Sequence, residues 1–181
     1  MEKQKIRWVE ERRYVNATPR DNGIKFIDVD VHVGETYVTG VARHGKYVVL
    51  RAQRGTAHIY IFYELLEAVD KNMLTDTELL KRLVALDCEN EIYKKRIEEL
   101  RQFADRLEEH LHDLPVEITA TVASHKSHGH VEVKLIRQVD KDAFQRYVTT
   151  CKTLGMKFDH ASRVWVFIPS WSQYVIVTYG P

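Results

Sequence analysis

The chain has 181 residues, of which 44% are hydrophobic and 29% charged, and this composition predicts a globular protein with a packed core rather than a disordered chain. Its net charge is only +1, which excludes binding to a polyanion by net charge alone, because domains that do so are strongly basic. No run of about 18 apolar residues is present, so no membrane-spanning helix is predicted.

The first segment, residues 1–75, is predicted to be a β-rich domain. Five stretches in it are dense in β-branched and aromatic residues: 6–15, 24–33, 36–43, 46–52 and 57–63. Glycine-containing turn sequences separate them, so we expect an antiparallel meander. A helix over Glu64–Met73 is expected to follow the last strand.

Side-chain alternation within these strands indicates two unlike sheet faces. In 24–33, the residues Ile27, Val29, Val31 and Val33 fall on one face, opposite Phe26, Asp28, Asp30 and His32. In 57–63, Ile59 and Ile61 oppose His58, Tyr60 and Phe62 in the same way. One face is therefore predicted to be core, and the other mixes aromatic with polar and charged groups.

The middle segment, residues 76–114, has a heptad pattern of apolar residues, which is typical of a coiled coil. One position of the seam is Asn90, and a buried amide there favours pairing with its own copy in a parallel homodimer. The predicted dimerisation residues are Leu83, Leu86, Asn90, Tyr93, Ile97, Leu100, Leu107 and Leu111. The alternative is a long helix that packs back on the chain's own domains.

The third segment, residues 115–181, is predicted to be a small ββαββ domain. Strands over 116–124 and 130–139 precede a helix that begins after Asp140 and stops at Gly155, and a hairpin follows. Residues 171–179 are expected to add a further strand. The predicted fold class is thus α+β, with a β-rich N-terminal domain, a central parallel dimeric coiled coil and a ββαββ C-terminal domain.

The passage from the helix into this hairpin carries a resemblance to a known module. Residues 130–169 resemble the small ββαββ module beside XPB-type and HARP-type helicase motors, through Gly155, Lys157, Phe158, Asp159, Trp165 and Pro169. The chain contains no P-loop, so the resemblance implies a nucleic-acid-binding module that is used without a motor. In architecture the chain also resembles ThermoDBP-type single-stranded DNA-binding proteins of thermophilic archaea, which implies an archaeal, thermophilic source.

Aromatic and basic residues share several predicted strands, as single-stranded nucleic acid requires for base stacking and phosphate contacts. We therefore predict a non-catalytic, homodimeric protein that binds single-stranded DNA, with RNA possible, and that needs no cofactor. The predicted binding residues are Lys134, Arg137, Lys157, Phe158, Arg163, Trp165, Phe167, Trp171, Arg12, Tyr14, Arg43, Tyr47, Arg51, Arg54 and Tyr60.

Three other interpretations stay open. His125, His128 and His130 have the composition of a metal site, but no cysteine or carboxylate completes it, and no metal is predicted. Asp28 and Asp30, with His58, faintly resemble the carboxylate and histidine motifs of archaeal–eukaryotic primases, which implies metal-dependent nucleotidyl transfer or nuclease activity. A dimeric adaptor or scaffold protein is the main alternative function.

The localisation is predicted from the N-terminus and the cysteines. The first residues lack the apolar centre of a signal peptide. Cys88 and Cys151 are far apart in sequence and form no metal-binding pair. A cytoplasmic protein is therefore expected.

Overall fold

A computed structural model describes residues 6–66, 71–86, 91–123 and 127–177. Nine strands are present in this part of the chain: β1 Ile6–Val15, β2 Ile27–Val33, β3 Thr36–His44, β4 Tyr47–Arg54, β5 Ala57–Leu65, β6 Val116–Ala123, β7 His128–Leu135, β8 Lys157–Asp159 and β9 Val164–Phe167. Three α-helices accompany them: α1 Thr77–Leu86, α2 Glu91–Leu111 and α3 Lys141–Thr153. A single 3₁₀ turn covers Lys71–Met73.

All nine strands belong to one antiparallel sheet in the order β2-β3-β4-β5-β1-β6-β7-β9-β8. Four of the five strands predicted for the meander, β2 to β5, are neighbours in chain order, whereas β1 is not next to β2. Gly34, Gly45 and Gly55 take positive φ angles in the three tight turns between β2 and β5. Strand β1 pairs with β5 on one side and with β6 on the other. It therefore joins the strands of the first segment to those of the third.

The core lies on one face of this sheet, because alternate side chains of each strand point to the same side. Ile59, Ile61 and Tyr63 of β5 are fully buried there, next to Val48 and Leu50 of β4. The same buried cluster continues through alternate residues of β6 and β7 and includes residues of all three helices. We call this side of the sheet the helix face.

Helix α2 packs on the helix face, and this corrects the predicted coiled coil. Ile97, Leu100, Leu107 and Leu111 are almost completely buried against the sheet of their own chain. Phe103 is buried beside them, so the apolar stripe is wider than a coiled-coil seam and suits a helix on a sheet. The coiled-coil prediction is wrong because both arrangements repeat apolar residues at nearly the same spacing.

The other predicted dimerisation residues follow the same pattern. Leu83 is buried in the core and Leu86 is partly buried against it. The ring of Tyr93 lies 5.7 Å from that of Trp8 on β1. Asn90 lies outside the described residues. The described residues of the predicted homodimer interface therefore pack within their own chain.

The predicted fold class is therefore corrected to one continuous, mostly β sheet with helices on one face. The element order β6, β7, α3, β8, β9 matches the order predicted for the third segment. Asp140 caps α3 by accepting a hydrogen bond of 2.8 Å from the Ala143 N–H, and Gly155 follows the helix with a φ of 82°.

Two local predictions are also corrected. Residues 171–177 run without regular structure instead of adding a strand. Glu64 and Leu65 belong to β5 rather than to a helix, and residues 67–70 lie outside the described part. None of the helices in the described residues has the length and hydropathy needed to cross a bilayer.

Candidate nucleic-acid interface

The second face of the sheet, which we call the open face, carries no packed helix among the described residues. The register of the paired strands shows which side chains point to this face. On β1 it presents Glu10, Arg12 and Tyr14, because Glu11 and Arg13 point to α2, where Arg13 pairs with Asp105. On β5 it presents Tyr60 and its alternating neighbours, which lie directly opposite these β1 residues. The sequence-predicted division into a core face and a mixed polar–aromatic face is therefore observed at β5.

A polar groove of about 290 Å³ crosses the open face along β6. Its floor is low because β6 presents short side chains there, including Thr119 and Thr121. Its walls are the longer side chains of the two neighbouring strands, and three cross-strand rows describe it. The rows are Tyr14–Thr119–Glu132, Arg12–Thr121–His130 and Glu10–Ala123–His128. We call this feature the β6 groove.

The β6 groove combines charged groups with protonated hydroxyls. Arg12 pairs with Glu10 at 2.8 Å, and its guanidinium lies 5.1 Å from the ring centre of Phe62. Burial raises the pKa of Tyr14, so its hydroxyl stays protonated at neutral pH. His130 is only 9% exposed; its Nε2 lies 3.5 Å from Glu132, and its Nδ1 has no hydrogen-bond partner among the described residues.

The loop between β1 and β2, residues 16–26, covers one end of the open face. Asp21 accepts hydrogen bonds from the Tyr60 hydroxyl at 3.1 Å and from Arg51 at 3.0 Å. Arg20 lies 2.9 Å from the buried Glu117 at the start of β6. Phe26 packs on Tyr60, with ring centres 6.0 Å apart. Tyr60 is thus covered, and burial together with Asp21 raises its pKa.

A glycine allows an ion pair across strands β2, β3 and β4. Gly40 lies between Asp28 and Arg51 in the strand register, and a β-carbon there would come within 3.0 Å of the Arg51 guanidinium. Because Gly40 lacks a side chain, Arg51 passes over it and pairs with Asp28 at 2.8 Å. The same guanidinium lies 4.9 Å from the ring centre of Phe26.

The C-terminal segment, residues 169–177, passes from the helix face to the open face around the end of β7. On the helix face, Trp171 donates a hydrogen bond of 2.8 Å to Glu99 of α2. Its ring fills the space left by Gly129, where a β-carbon would lie 2.8 Å from Trp171 Cζ3. The Gly129 N–H donates to Ser172 Oγ at 3.0 Å, which holds the crossing point on β7.

On the open face, the same segment places Tyr174 beside the β6 groove. The Tyr174 ring lies 4.3 Å from His130 and 5.3 Å from His128. Its hydroxyl donates a hydrogen bond of 3.0 Å to Asp159. Burial, together with this carboxylate, raises the pKa of Tyr174 to about 12, so the hydroxyl remains a donor. Tyr174 therefore adds an aromatic ring next to the histidines of the groove.

The structure divides the predicted binding residues between the two faces. Seven of them share the open face: Arg12, Tyr14, Tyr47, Arg51, Tyr60, Lys134 and Lys157. Six others lie on the helix face or pack into it: Phe158, Trp165, Phe167, Trp171, Arg43 and Arg54. Arg137 and Arg163 are exposed in loops.

The residues on the helix face have structural partners there. Phe167 stacks on Phe103 of α2 with ring centres 3.9 Å apart and an interplanar angle of 8°. Trp165 is partly buried against the core and meets Phe158 at 5.5 Å. Arg54 binds the buried Glu11, so its charge is already matched by a carboxylate.

Sequence analysis missed most of the β6 groove. His128, His130 and Glu132 lie on alternate positions of β7, and Thr119 and Thr121 lie on alternate positions of β6. The signal was present as a period-two pattern of polar residues in both predicted strands. What the sequence did not contain was the pairing of β6 with β1, which brings the three strands side by side.

The structure separates the residues of the primase-like interpretation, and of the three histidines in the metal interpretation it brings only His128 and His130 together among the described residues. Asp28 pairs with Arg51, while Asp30 lies 3.6 Å from His32. His58 is on β5, three strands from β2, which corresponds to about 14 Å. Within the described ranges, no three His, Cys, Asp or Glu side chains converge as metal ligands, and His125 lies outside those ranges.

Comparisons of the chain with protein-family models, with curated proteins and with solved structures found no match.

Proposed function

We propose that this protein binds single-stranded nucleic acid, most of all single-stranded DNA, on the open face of its sheet. Duplex is bound less well. The observation that supports this most strongly is the β6 groove, with Tyr14 in one wall and Tyr174 beside the other. A helix-free sheet face with half-exposed rings and polar groups provides surfaces on which unstacked bases can lie. The protein acts without catalysing a reaction and without a cofactor.

Stacking is the main attractive contribution in this proposal. Tyr14, Tyr47 and Phe62 are half-buried on the open face, so part of each ring remains accessible. Each base stacked on such a ring contributes about 1–3 kcal/mol. Tyr60 is 4% exposed beneath Phe26, and it therefore supports its neighbours rather than a base.

Phosphate contacts are a smaller contribution, because the open-face arginines already have carboxylate partners. Arg12 pairs with Glu10, and Arg51 pairs with both Asp21 and Asp28. Lys157 is exposed on the same face, and Arg137 and Arg163 are exposed in the neighbouring loops. With two or three phosphates neutralised, log K is expected to fall with log salt at a slope of about −1.4 to −2.1.

The proposed compartment is the cytoplasm. Burial raises the pKa of Cys151 to about 12, so this thiol stays protonated inside the core. Such a cysteine needs no oxidising environment, which agrees with the expectation from the cysteine spacing.

Fluorescence anisotropy tests the proposal. Labelled oligonucleotides of about ten nucleotides, single-stranded and duplex, DNA and RNA, are titrated with protein at two salt concentrations. Single strands are expected to bind more tightly than duplex, with the shallow salt slope given above. No binding to any of these oligonucleotides would overturn the proposal and favour the adaptor interpretation.

A pair of tyrosine variants assigns the binding to the open face. Tyr14→Ala is expected to weaken single-strand binding about tenfold, while Tyr14→Phe keeps the ring and most of the affinity. Tyr93→Ala is the matched control, because Tyr93 is also half-buried but lies on the helix face. Equal losses for Tyr14→Ala and Tyr93→Ala, with both variants folded by circular dichroism, would contradict the assignment.

A further inference from the structure

The β6 groove is too small for an extended strand and suits a single planar group. Its volume is about 290 Å³, at the lower limit for small-molecule pockets. Its walls stand on β1 and β7, two strand spacings apart, which is about 9.5 Å between backbones. One flat ring fits between side chains that rise from such strands.

The charges in the groove favour a base over a phosphate. Glu10 and Glu132 are both in its walls, and among the residues that the structure describes Arg12 is the one guanidinium that lines it. Arg12 is held by Glu10 at 2.8 Å, and His130 Nε2 lies 3.5 Å from Glu132. With this imidazole neutral, Glu132 leaves an excess of negative charge in the groove. An anionic phosphate is repelled there, whereas a group that donates hydrogen bonds is attracted.

The row Tyr14–Thr119–Glu132 presents an acceptor beside donors. Ionised Glu132 can only accept hydrogen bonds, whereas the hydroxyls of Tyr14 and Thr119 can donate. The negative charges of Glu117 and Glu132 help to raise the pKa of Tyr14, although burial is the larger cause. The hydroxyl of Tyr14 therefore lies within the electrostatic reach of Glu132.

The buried His130 is a second, independent sign that the groove holds a polar group. It lines the groove next to this row, is nine-tenths buried, and has an Nδ1 atom without a hydrogen-bond partner in the described part of the chain. A buried polar atom without a partner is unfavourable. Because this Nδ1 atom is closed to solvent, a ligand removes the penalty by drawing the imidazole round towards the groove and supplying the missing partner.

We propose that the β6 groove receives one unstacked base whose Watson–Crick edge has an exocyclic amino group beside an unprotonated ring nitrogen, which is cytosine or adenine, and that Glu132 accepts the hydrogen bond from that amino group. Such bases carry an amino donor next to a ring-nitrogen acceptor, which matches a carboxylate next to a hydroxyl. Thymine and uracil place a carbonyl oxygen where the amino group would be, and this oxygen faces Glu132 unfavourably. The inference rests on the proposed binding of single strands and adds base selectivity to it.

Three single-stranded DNA probes test this selectivity with the wild-type protein. The first contains only thymine, the second has one central cytosine, and the third has pyrimidin-2-one, which is cytosine without its amino group, at that position. The cytosine strand is expected to bind about tenfold more tightly than the other two. Equal affinity for all three strands overturns the inference but leaves the proposed function intact, whereas no binding to any of them overturns both.

A matched pair of carboxylate variants assigns the selectivity to the groove. Glu132→Gln replaces the acceptor by an amide that both accepts and donates, so the preference for cytosine is expected to fall below about twofold. Glu64→Gln is the control, because Glu64 is at the far end of the open face, where it pairs with Arg7 and Lys46. Unchanged selectivity in folded Glu132→Gln overturns the inference.

Discussion

Arg54 Nη1 lies 3.2 Å from both carboxylate oxygens of Glu11, and so connects β4 to β1 across the intervening strand β5. Arg101 of α2 binds the same carboxylate from the side of the helix. Glu11 is 2% exposed, and the side chains of Arg54 and Arg101 are about four-fifths buried. Three charged side chains are therefore buried between α2 and the sheet. This group fixes α2 over the centre of the sheet.

Glu11→Ala is therefore expected to destabilise the protein by about 3 kcal/mol, because removing one partner leaves buried charge uncompensated. Urea unfolding followed by circular dichroism measures the change. Glu35→Ala is the control, since Glu35 is exposed in the β2–β3 turn and is expected to change stability by less than about 0.5 kcal/mol. A similar small effect of Glu11→Ala would contradict this role.

Phe167→Ala is expected to lower the free energy of unfolding by about 3 kcal/mol through loss of the stacked contact with Phe103. Its affinity for single strands, measured on the folded fraction, is expected to stay within about twofold of wild type, because a substitution on the helix face removes no ring from the open face. A large loss of affinity in a stable Phe167→Ala protein would indicate that nucleic acid binds on the helix face, and would contradict the proposal.

Phe167 and Trp165 show what the sequence could predict and what it could not. Both were predicted as stacking residues because their strand is short, aromatic and next to basic residues. Which face they occupy depends on the register of β9 with β7 and on where α2 lies. Both depend on long-range pairing, and local sequence patterns carry little information about it.

The meander of β2 to β5 was predictable because its strands are neighbours in sequence and are joined by tight turns. The position of β1 was not, since β1 pairs with β5 and β6 rather than with the strand that follows it. The apolar stripe of α2 was recognised correctly but assigned to a second chain. Phe103 was the residue that could have shown a wider, sheet-packing face.

Gly129→Ala is expected to displace Trp171, because the new methyl group would overlap its ring. The expected destabilisation is about 1–3 kcal/mol, with a shift of tryptophan fluorescence to longer wavelength as the ring becomes hydrated. Trp171→Ala in the Gly129→Ala background removes the overlap, so the second substitution is expected to cost little further stability. Unchanged fluorescence in Gly129→Ala would contradict the docking of the C-terminal segment on β7.

The contact between Tyr174 and Asp159 predicts a pH dependence. Burial alone would raise the pKa of Asp159, but hydrogen bonds from Tyr174 and from the Ala161 N–H outweigh it and lower the pKa below its ordinary value of 3.8. A lowered pKa in the folded state stabilises the protein above pH 4, and this stabilisation is lost as the pH falls through the lowered value. Asp159→Asn lacks this dependence.

The stability difference between wild type and Asp159→Asn is thus expected to be larger at pH 6 than at pH 3. Urea midpoints at both pH values measure it, and other acidic groups with lowered pKa values, such as Asp113, cancel because both proteins contain them. A difference that is independent of pH would show that the carboxylate of Asp159 has no such role.

The central claim is that nucleic acid lies on the open face, and ultraviolet cross-linking of a single-stranded oligonucleotide followed by peptide mapping tests it most directly. Cross-links are expected at Tyr14 on β1, at His128 on β7 and at Tyr174, the residues that surround the β6 groove. Cross-links confined to α1 or α2 would contradict the account, because these helices cover the opposite face of the sheet.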